Sequence, residues 1–172
     1  MPTPLPDAEA LLSALIQQMQ PHVGPDAGLI GIHTGGVWLA ERLHEALKVK
    51  TPLGTLDVSF YRDDFEKIGL HRDVKRSDIP FEVEGRHLVL VDDVLYTGRT
   101  IRAAMNELFD YGRPASIRLA ALIDRGGREL PIAAQWVADT VQVPEAMAIE
   151  LKRDEQGKLS LAWYERSAPD VA

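Results

Sequence analysis

The sequence predicts an α/β fold in which helices flank a mostly parallel sheet. Apolar runs of strand length alternate along the chain with segments of helical periodicity, which is the pattern of parallel α/β folds. The runs are continuously apolar, as expected for strands buried on both faces, and the strongest lies at 87–91. With 172 residues, 45% of them hydrophobic, the chain suits a single domain over 1–172 with a substantial core.

Each element has its own signature. Apolar residues at helical spacing between Leu11 and Met19 predict an amphipathic helix that ends before Pro21. A second apolar face begins at Ile101, and Gly112 stands where a helix C-cap is expected. The predicted elements are helices over 8–20, 37–48 and 100–112 and strands over 28–32, 53–60, 87–91 and 116–123, followed by short strands and turns.

Composition excludes several classes of site. The chain contains no cysteine, so it has neither disulfide bonds nor thiolate metal sites. It has no run of about 18 apolar residues, the minimum for a membrane helix, and its first apolar segment lacks the basic flank of a secretory signal. We therefore expect a cytoplasmic protein with no membrane partner.

The charge distribution favours a small anionic ligand. The net charge is −7, and Lys and Arg are absent from 1–41 and from 129–151. Basic residues concentrate in 62–76 and 99–128. A nucleic-acid-binding protein needs a contiguous basic face, whereas this chain has a local basic region on an acidic body.

The segment LVLVDDVLYTGRT, 88–100, carries the clearest chemistry. Its turn from Thr97 to Thr100 precedes a predicted helix, whose first N–H groups lack internal partners and attract anions. A glycine in the turn lets a phosphate approach these groups closely. The nucleoside-triphosphate loop G-x-x-x-x-G-K-[ST] is absent.

The adjacent carboxylates Asp92 and Asp93 come directly after the apolar run. Neighbouring side chains at a strand end point to opposite faces, and carboxylates accept hydrogen bonds from vicinal hydroxyls or bind Mg²⁺. Together with the phosphate turn they have the dimensions of a ribose 5-phosphate site. A structural alternative is that Asp93 caps a helix and Asp92 pairs with a basic neighbour.

Two other polar segments also follow predicted strands, HTGG at 33–36 and IDRGG at 123–127. In parallel sheets, ligands bind outside the carboxyl ends of the strands, near the point where the strand order reverses. We therefore expect these two segments and the phosphate turn to converge at one edge of the sheet.

The segment VDDVLYTGRT resembles the phosphoribosyl diphosphate (PRPP) signature of the type I phosphoribosyltransferases. The longer stretches 31–43, 59–64 and 78–132 resemble the PyrR family, whose members regulate pyrimidine operons and are uracil phosphoribosyltransferases. The likeness runs from about residue 28 to 137 and implies a type I phosphoribosyltransferase-like parallel sheet flanked by helices, with a small hood over about 124–165. It also implies uracil, PRPP, UMP and Mg²⁺ as ligands, and a homo-oligomer of two or more subunits.

The resemblance assigns roles to individual residues. Asp92 and Asp93 are expected at the ribose and are candidate Mg²⁺ ligands, while Arg62 and Arg72, with Lys75 or Arg76, act from a lid over about 61–80. The expected 5-phosphate ligands are Tyr96, Thr97, Gly98, Arg99 and Thr100; the diphosphate ligands are His33, Thr34, Gly35 and Gly36; and the uracil ligands are Asp124, Arg125 and Val137.

Alternatives remain open for the basic residues. For the arginines of 62–76 the alternative to a lid is a solvated surface. For Arg125 and Arg128 the alternative to touching uracil is bracing the hood or a subunit contact. Gly35 stands where relatives carry a basic residue, which predicts lower turnover or compensation by the lid.

The regions without Lys or Arg, and a glycine in place of a histidine at Gly127, make binding to RNA doubtful. A regulator that senses UMP or PRPP with weak or no catalysis is the main functional alternative. A purine phosphoribosyltransferase is another.

Overall fold

The computed structural model describes residues 2–58 and 77–166. The helices are α1 (Ala8–Met19), α2 (Gly35–Ala46) and α3 (Arg99–Phe109). The strands are β1 (Gly28–Ile32), β2 (Gly54–Leu56), β3 (His87–Leu95), β4 (Ser116–Asp124), β5 (Trp136–Thr140), β6 (Met147–Arg153) and β7 (Leu159–Glu165). No helix in the described part of the chain is both long and apolar enough to cross a bilayer.

Strands β1 to β5 form one sheet in the order β2-β1-β3-β4-β5, and every neighbouring pair is parallel. The central strands are continuously buried: all five residues of β1 are buried, and so are 88–92 of β3. This is the burial expected when helices cover both faces. The predicted α/β fold with a parallel sheet is confirmed.

The two faces of the sheet bury separate clusters of apolar side chains. One cluster joins α1, α2 and the β6–β7 hairpin to residues such as Leu29, Val89 and Leu122. The other joins α3 to residues such as Ile30 and Leu90. In β1 and β3, successive residues such as Val89 and Leu90 serve opposite clusters, as the pleat requires. The sheet is thus packed between α1 and α2 on one face and α3 on the other.

The hairpin β6–β7 is antiparallel and separate from the main sheet. It is tied to the helices by polar contacts as well as by the core: Leu159 N–H donates to Glu9 at 2.9 Å, and Glu9 also pairs with Arg42 of α2 at 2.8 Å. The region predicted as a hood, 124–165, therefore contains two different parts. Its first strand, β5, lies in the main sheet, and the hairpin forms a sheet of its own.

Several predicted boundaries differ from the observed ones, and those of β3 and α2 bear on the site. Strand β3 does not end at residue 91 but continues to Leu95, because its pairing with β4 continues through Asp92 and Val94. Helix α2 begins at Gly35, two residues before the predicted start, so half of the HTGG segment is helical. Helix α3 ends at Phe109 with Asp110 as its C-cap, before Gly112.

Candidate active site

Three polar segments meet at the carboxyl edge of the sheet, because β1, β3 and β4 are adjacent and parallel. Residues 33–36 follow β1, residues 96–98 follow β3, and the loop 125–135 follows β4. The register sets Leu95 level with Asp124, so the second and third segments leave the sheet side by side. The expected convergence of the three loops is confirmed.

The paired carboxylates lie inside β3 rather than after it. Asp92 is buried, with 4% of its surface exposed, and its Oδ1 accepts a hydrogen bond from Asp93 N–H at 2.9 Å. The Oδ1 of Asp93 accepts from Val94 N–H, also at 2.9 Å. Asp93 does not cap α3, whose N-cap is Gly98, so that part of the structural alternative is wrong.

The start of α2 packs directly on this part of β3. A side chain at Gly35 would overlap the Asp93 carboxylate, and one at Gly36 would overlap the Val91 carbonyl oxygen. The N-cap, Thr34, makes no side-chain cap hydrogen bond, and the first turn contains no acidic residue. The glycines therefore allow the helix start, with its partial positive charge, to lie against a carboxylate. This contact also gives a physical reason for glycine at position 35.

The turn after β3 has the geometry of an anion site. Gly98 is the N-cap of α3 with φ +94°, and the buried Thr97 hydroxyl oxygen accepts from Arg99 N–H at 3.2 Å. The Thr97 carbonyl accepts from Glu129 N–H at 2.9 Å, so the 125–135 loop holds the turn from outside. A Cβ at Gly98 would lie 3.0 Å from Ile132, which leaves little room for any other residue. The first turn of α3 contains no acidic residue that would occupy the helix N-terminus.

The Arg128 guanidinium is the main brace of this edge. It donates to the Tyr96 carbonyl at 2.7 Å, to the Ile132 carbonyl at 2.9 Å and to Asp124 Oδ2 at 2.6 Å. Burial raises the pKa of Asp124, but the hydrogen bonds from Arg128 and from Gly126 N–H lower it by more, so this carboxyl pKa lies below its ordinary value. Asp124 is therefore engaged within its own loop, an arrangement that favours the bracing role left open for Arg128.

Arg125 is also engaged with the protein. Its guanidinium carbon lies 3.9 Å from the centre of the Tyr96 ring, and Nη1 donates to the Met147 carbonyl at 3.1 Å. Burial lowers the pKa of the Arg125 guanidinium, and the nearby charge of Arg166 lowers it further, against an opposing contribution from Tyr96. Arg125 thus connects the turn after β3 to the start of the β6–β7 hairpin.

Some of the expected site residues are not brought together. Val137 pairs with Ala121, which precedes Asp124 by three residues along β4. The Val137 carbonyl accepts a hydrogen bond from the Gln18 side chain of α1 at 3.1 Å. The residue of β5 that lies level with Asp124 is Thr140. The lid was expected over about 61–80. The part of it up to residue 76, which includes Arg62, Arg72, Lys75 and Arg76, lies outside the described residues.

Two residues of this edge make contacts that were not predicted from the sequence. Arg128 braces the turn after β3, and its spacing of four residues from Asp124 is a signal that could have indicated their ion pair. Arg166 donates to the Tyr96 hydroxyl at 3.1 Å. The two residues are 70 positions apart, so no local pattern in the sequence connects them.

We predict that Arg128→Met lowers the free energy of unfolding by about 2 kcal/mol at neutral pH, because it leaves a part-buried carboxylate and two carbonyls without a charged donor. The folded-state pKa of Asp124 is lowered, so its stabilising contribution is present above the ordinary carboxyl pKa of 3.8 and is lost as the pH falls through the folded-state value. The difference between variant and wild type should therefore shrink in acid. Urea unfolding at several pH values measures both effects.

The matched control is Arg99→Met. Arg99 pairs with Glu129 at 3.2 Å, but both side chains are about half exposed, so we expect a change within about 0.5 kcal/mol. Equal losses in the two variants would contradict the bracing role of Arg128.

Comparison with known proteins shows the family to which this chain belongs. The sequence model of the family "Phosphoribosyl transferase domain" matches residues 6–148. A Bifunctional protein PyrR from Pseudomonas savastanoi pv. phaseolicola is 51% identical over 162 residues, covering 86% of this chain and 95% of that protein. A Bifunctional protein PyrR from Pseudomonas paraeruginosa is 52% identical over 160 residues, covering 90% of this chain and 89% of that protein.

Among solved structures, the HGPRT-ase from Leishmania tarentolae in complex with GMP has a TM-score of 0.62 and 19% identity, covering 86% of this chain and 84% of that one. At this identity the likeness shows the fold alone, and it is the fold of a type I phosphoribosyltransferase. The matched domain spans β1 to β5 and all three converging segments. The chain therefore belongs to the phosphoribosyl transferase domain family and, within it, to the PyrR proteins.

Proposed function

We propose that the protein is a uracil phosphoribosyltransferase that converts uracil and PRPP to UMP and diphosphate. In this reaction the bond from uracil N1 to ribose C1 forms, the bond from C1 to diphosphate breaks, and uracil loses its N1 proton. The observation that carries the proposal is the contact of the α2 start with Asp93, a residue of the strand that leads directly into the turn before α3. In the proposed complex, the groups that bind the diphosphate, the ribose and the 5-phosphate lie on neighbouring segments.

The carboxylate pair suits the ribose. Positive charge develops on the sugar as diphosphate leaves, and fixed negative groups nearby stabilise that transition state. Asp92 and Asp93 lie in a strand whose pairing with β4 continues past them to Leu95, so their backbone does not have to reorganise during the reaction. No nucleophile on the protein is required, and catalysis rests on orientation and electrostatics.

The two ends of PRPP match two helix starts. The segment from Tyr96 to Thr100 offers the start of α3 to the 5-phosphate, and the segment from His33 to Gly36 offers the start of α2 to the diphosphate. In the proposed complex the lid arginines Arg62 and Arg72 approach the leaving group. Asp124 and Arg125 lie at the edge nearest the base, and Thr140 is a better placed neighbour from β5 than Val137.

The residues present fit a Mg²⁺ ion that binds together with PRPP. Within residues 2–58 and 77–166, no three acidic or histidine side chains are grouped to hold a metal. Mg²⁺ usually keeps several waters and is bound by one or two carboxylates together with substrate phosphates. Asp92 and Asp93 can supply those carboxylates, and the bound ion would neutralise charge on the diphosphate.

The direct test is to incubate the protein with PRPP and Mg²⁺ and, separately, with uracil, hypoxanthine or guanine, and to measure nucleotide and diphosphate. We expect UMP and diphosphate in equal amounts from uracil, and no product from the purines. Turnover of a purine in place of uracil would contradict the choice of base. No turnover with any base would favour a regulator that senses UMP or PRPP.

Asp93→Asn should lower kcat by about 100-fold, because it removes a negative charge next to the developing cation. Asp110→Asn is a matched control, since Asp110 is exposed at the end of α3, away from the converging segments. Circular dichroism should show the same fold for both variants. Wild-type kcat in Asp93→Asn would place the essential carboxylate elsewhere.

Specific recognition of RNA is not part of the proposed function. Each phosphate contact by a cation contributes one salt-dependent term to affinity, and both 1–41 and 129–151 lack such cations. We predict that binding to a pyrimidine-operon leader RNA is salt-sensitive and no tighter than to an unrelated RNA of equal length, as measured by gel shift. Nanomolar binding that is lost when the leader is mutated would contradict this prediction.

A further inference from the structure

Tyr96 is contacted from two separate parts of the chain, the loop after β4 and Arg166. Its ring lies 3.9 Å from the Arg125 guanidinium in the loop after β4, and the same loop passes so close that a Cβ at Gly127 would lie 2.6 Å from the ring. Its hydroxyl accepts from Arg166 at 3.1 Å, just beyond β7. Its carbonyl accepts from Arg128 at 2.7 Å. The backbone and the side chain of Tyr96 are therefore held by different groups.

The contacts of the Tyr96 backbone belong to the proposed phosphate site, and those of its ring belong to the proposed base site. The Tyr96 backbone continues into Thr97 and Gly98, which are fixed by Arg128 and by the Glu129 N–H. None of those bonds involves Arg166. The Tyr96 ring instead faces the loop from Asp124 to Gly127, which follows β4 and lies where the base is proposed to bind. Releasing the ring would thus alter the base end and leave the phosphate turn in place.

Arg166 is suited to hold the ring. It is half-buried, its guanidinium lies 5.2 Å from the ring centre, and it donates to the hydroxyl, so it fixes both the position and the rotation of the phenol. Arg125 makes a second connection in the same place, from the β4 loop to the Met147 carbonyl of β6. The open end of the β6–β7 hairpin is therefore joined to the sheet edge through Tyr96 and Arg125.

We propose that Arg166 is a positioning residue for the pyrimidine base: it holds Tyr96 as a fixed wall between the ribose-phosphate site and the base site, so that uracil binds a preformed pocket. This inference rests on the proposed function. It assigns an indirect part in base binding to the residue that directly follows the β6–β7 hairpin.

The test is a double-mutant cycle of Arg166→Met and Tyr96→Phe, with steady-state kinetics for both substrates. Loss of a hydrogen bond from a charged group corresponds to about a tenfold change in affinity. We expect each single variant to raise the KM for uracil by about that factor and the KM for PRPP by less than about twofold. The double variant should be no worse than either single one, because both remove the same interaction.

Two further variants separate positioning from general stabilisation of the hairpin. Arg153→Met is the matched control: Arg153 belongs to the same hairpin, stacks on Trp38 at 4.9 Å and pairs with Glu41, but it does not contact Tyr96. It should leave both KM values unchanged. Arg166→Lys retains a donor for the hydroxyl and should recover part of the uracil KM.

The same cycle is measured by calorimetry with UMP, whose binding requires no turnover. If the wild-type protein binds UMP but does not synthesise it, the proposed function is contradicted. The double-mutant cycle measured on UMP affinity would still support or contradict the role of Arg166 in that case. Additive effects in the double variant, equal increases in both KM values, or a similar loss in Arg153→Met would overturn the inference. Failure of the wild type to bind UMP would overturn both proposals.

Discussion

The contact between the start of α2 and the Asp93 carboxylate is the constraint on which the rest of the site depends. It exists because β1 and β3 are adjacent parallel strands, so the helix that follows β1 starts beside the last residues of β3. Gly35 and Gly36 remove the side chains that would keep the two backbones apart. A helix start attracts anions, whereas a carboxylate repels them and attracts positive charge. The contact therefore sets a group that favours a negative ligand beside one that favours a positive ligand. A diphosphate bound to one side and an electron-poor sugar bound to the other would satisfy both.

A second set of residues holds this arrangement through contacts within the protein. Arg128 and Asp124 form a part-buried pair whose additional bonds reach the Tyr96 and Ile132 carbonyls. The effect is to fix the turn after β3 before any phosphate arrives, so that less order has to be created on binding. Arg125 and Arg166 extend the same support to the β6–β7 hairpin. The edge of the sheet and the hairpin are therefore joined by direct contacts.

Much of the fold and part of the site could be predicted from the sequence. Strand β1 was predicted with its observed ends, because GLIGI is a short apolar run between a Pro-Gly turn and a polar segment. The turn before α3 could be predicted because Thr97, Gly98 and the helix start are consecutive, and its binding of a phosphate stays a prediction. The end of β3 was missed because Asp92 and Asp93 interrupt the apolar pattern, whereas the pairing with β4 continues through them. The Tyr96–Arg166 bond could not be predicted, since it depends on how the hairpin folds back on the sheet.

The central claim is that a ribose 5-phosphate binds in the turn between β3 and α3, with its hydroxyls on Asp92 and Asp93. The most direct measurement is a crystal structure of the protein with UMP bound. The claim predicts the phosphate at the N–H groups of the 97–100 turn and the ribose hydroxyls within hydrogen-bonding distance of both carboxylates. A nucleotide bound elsewhere, with this turn empty, would contradict it.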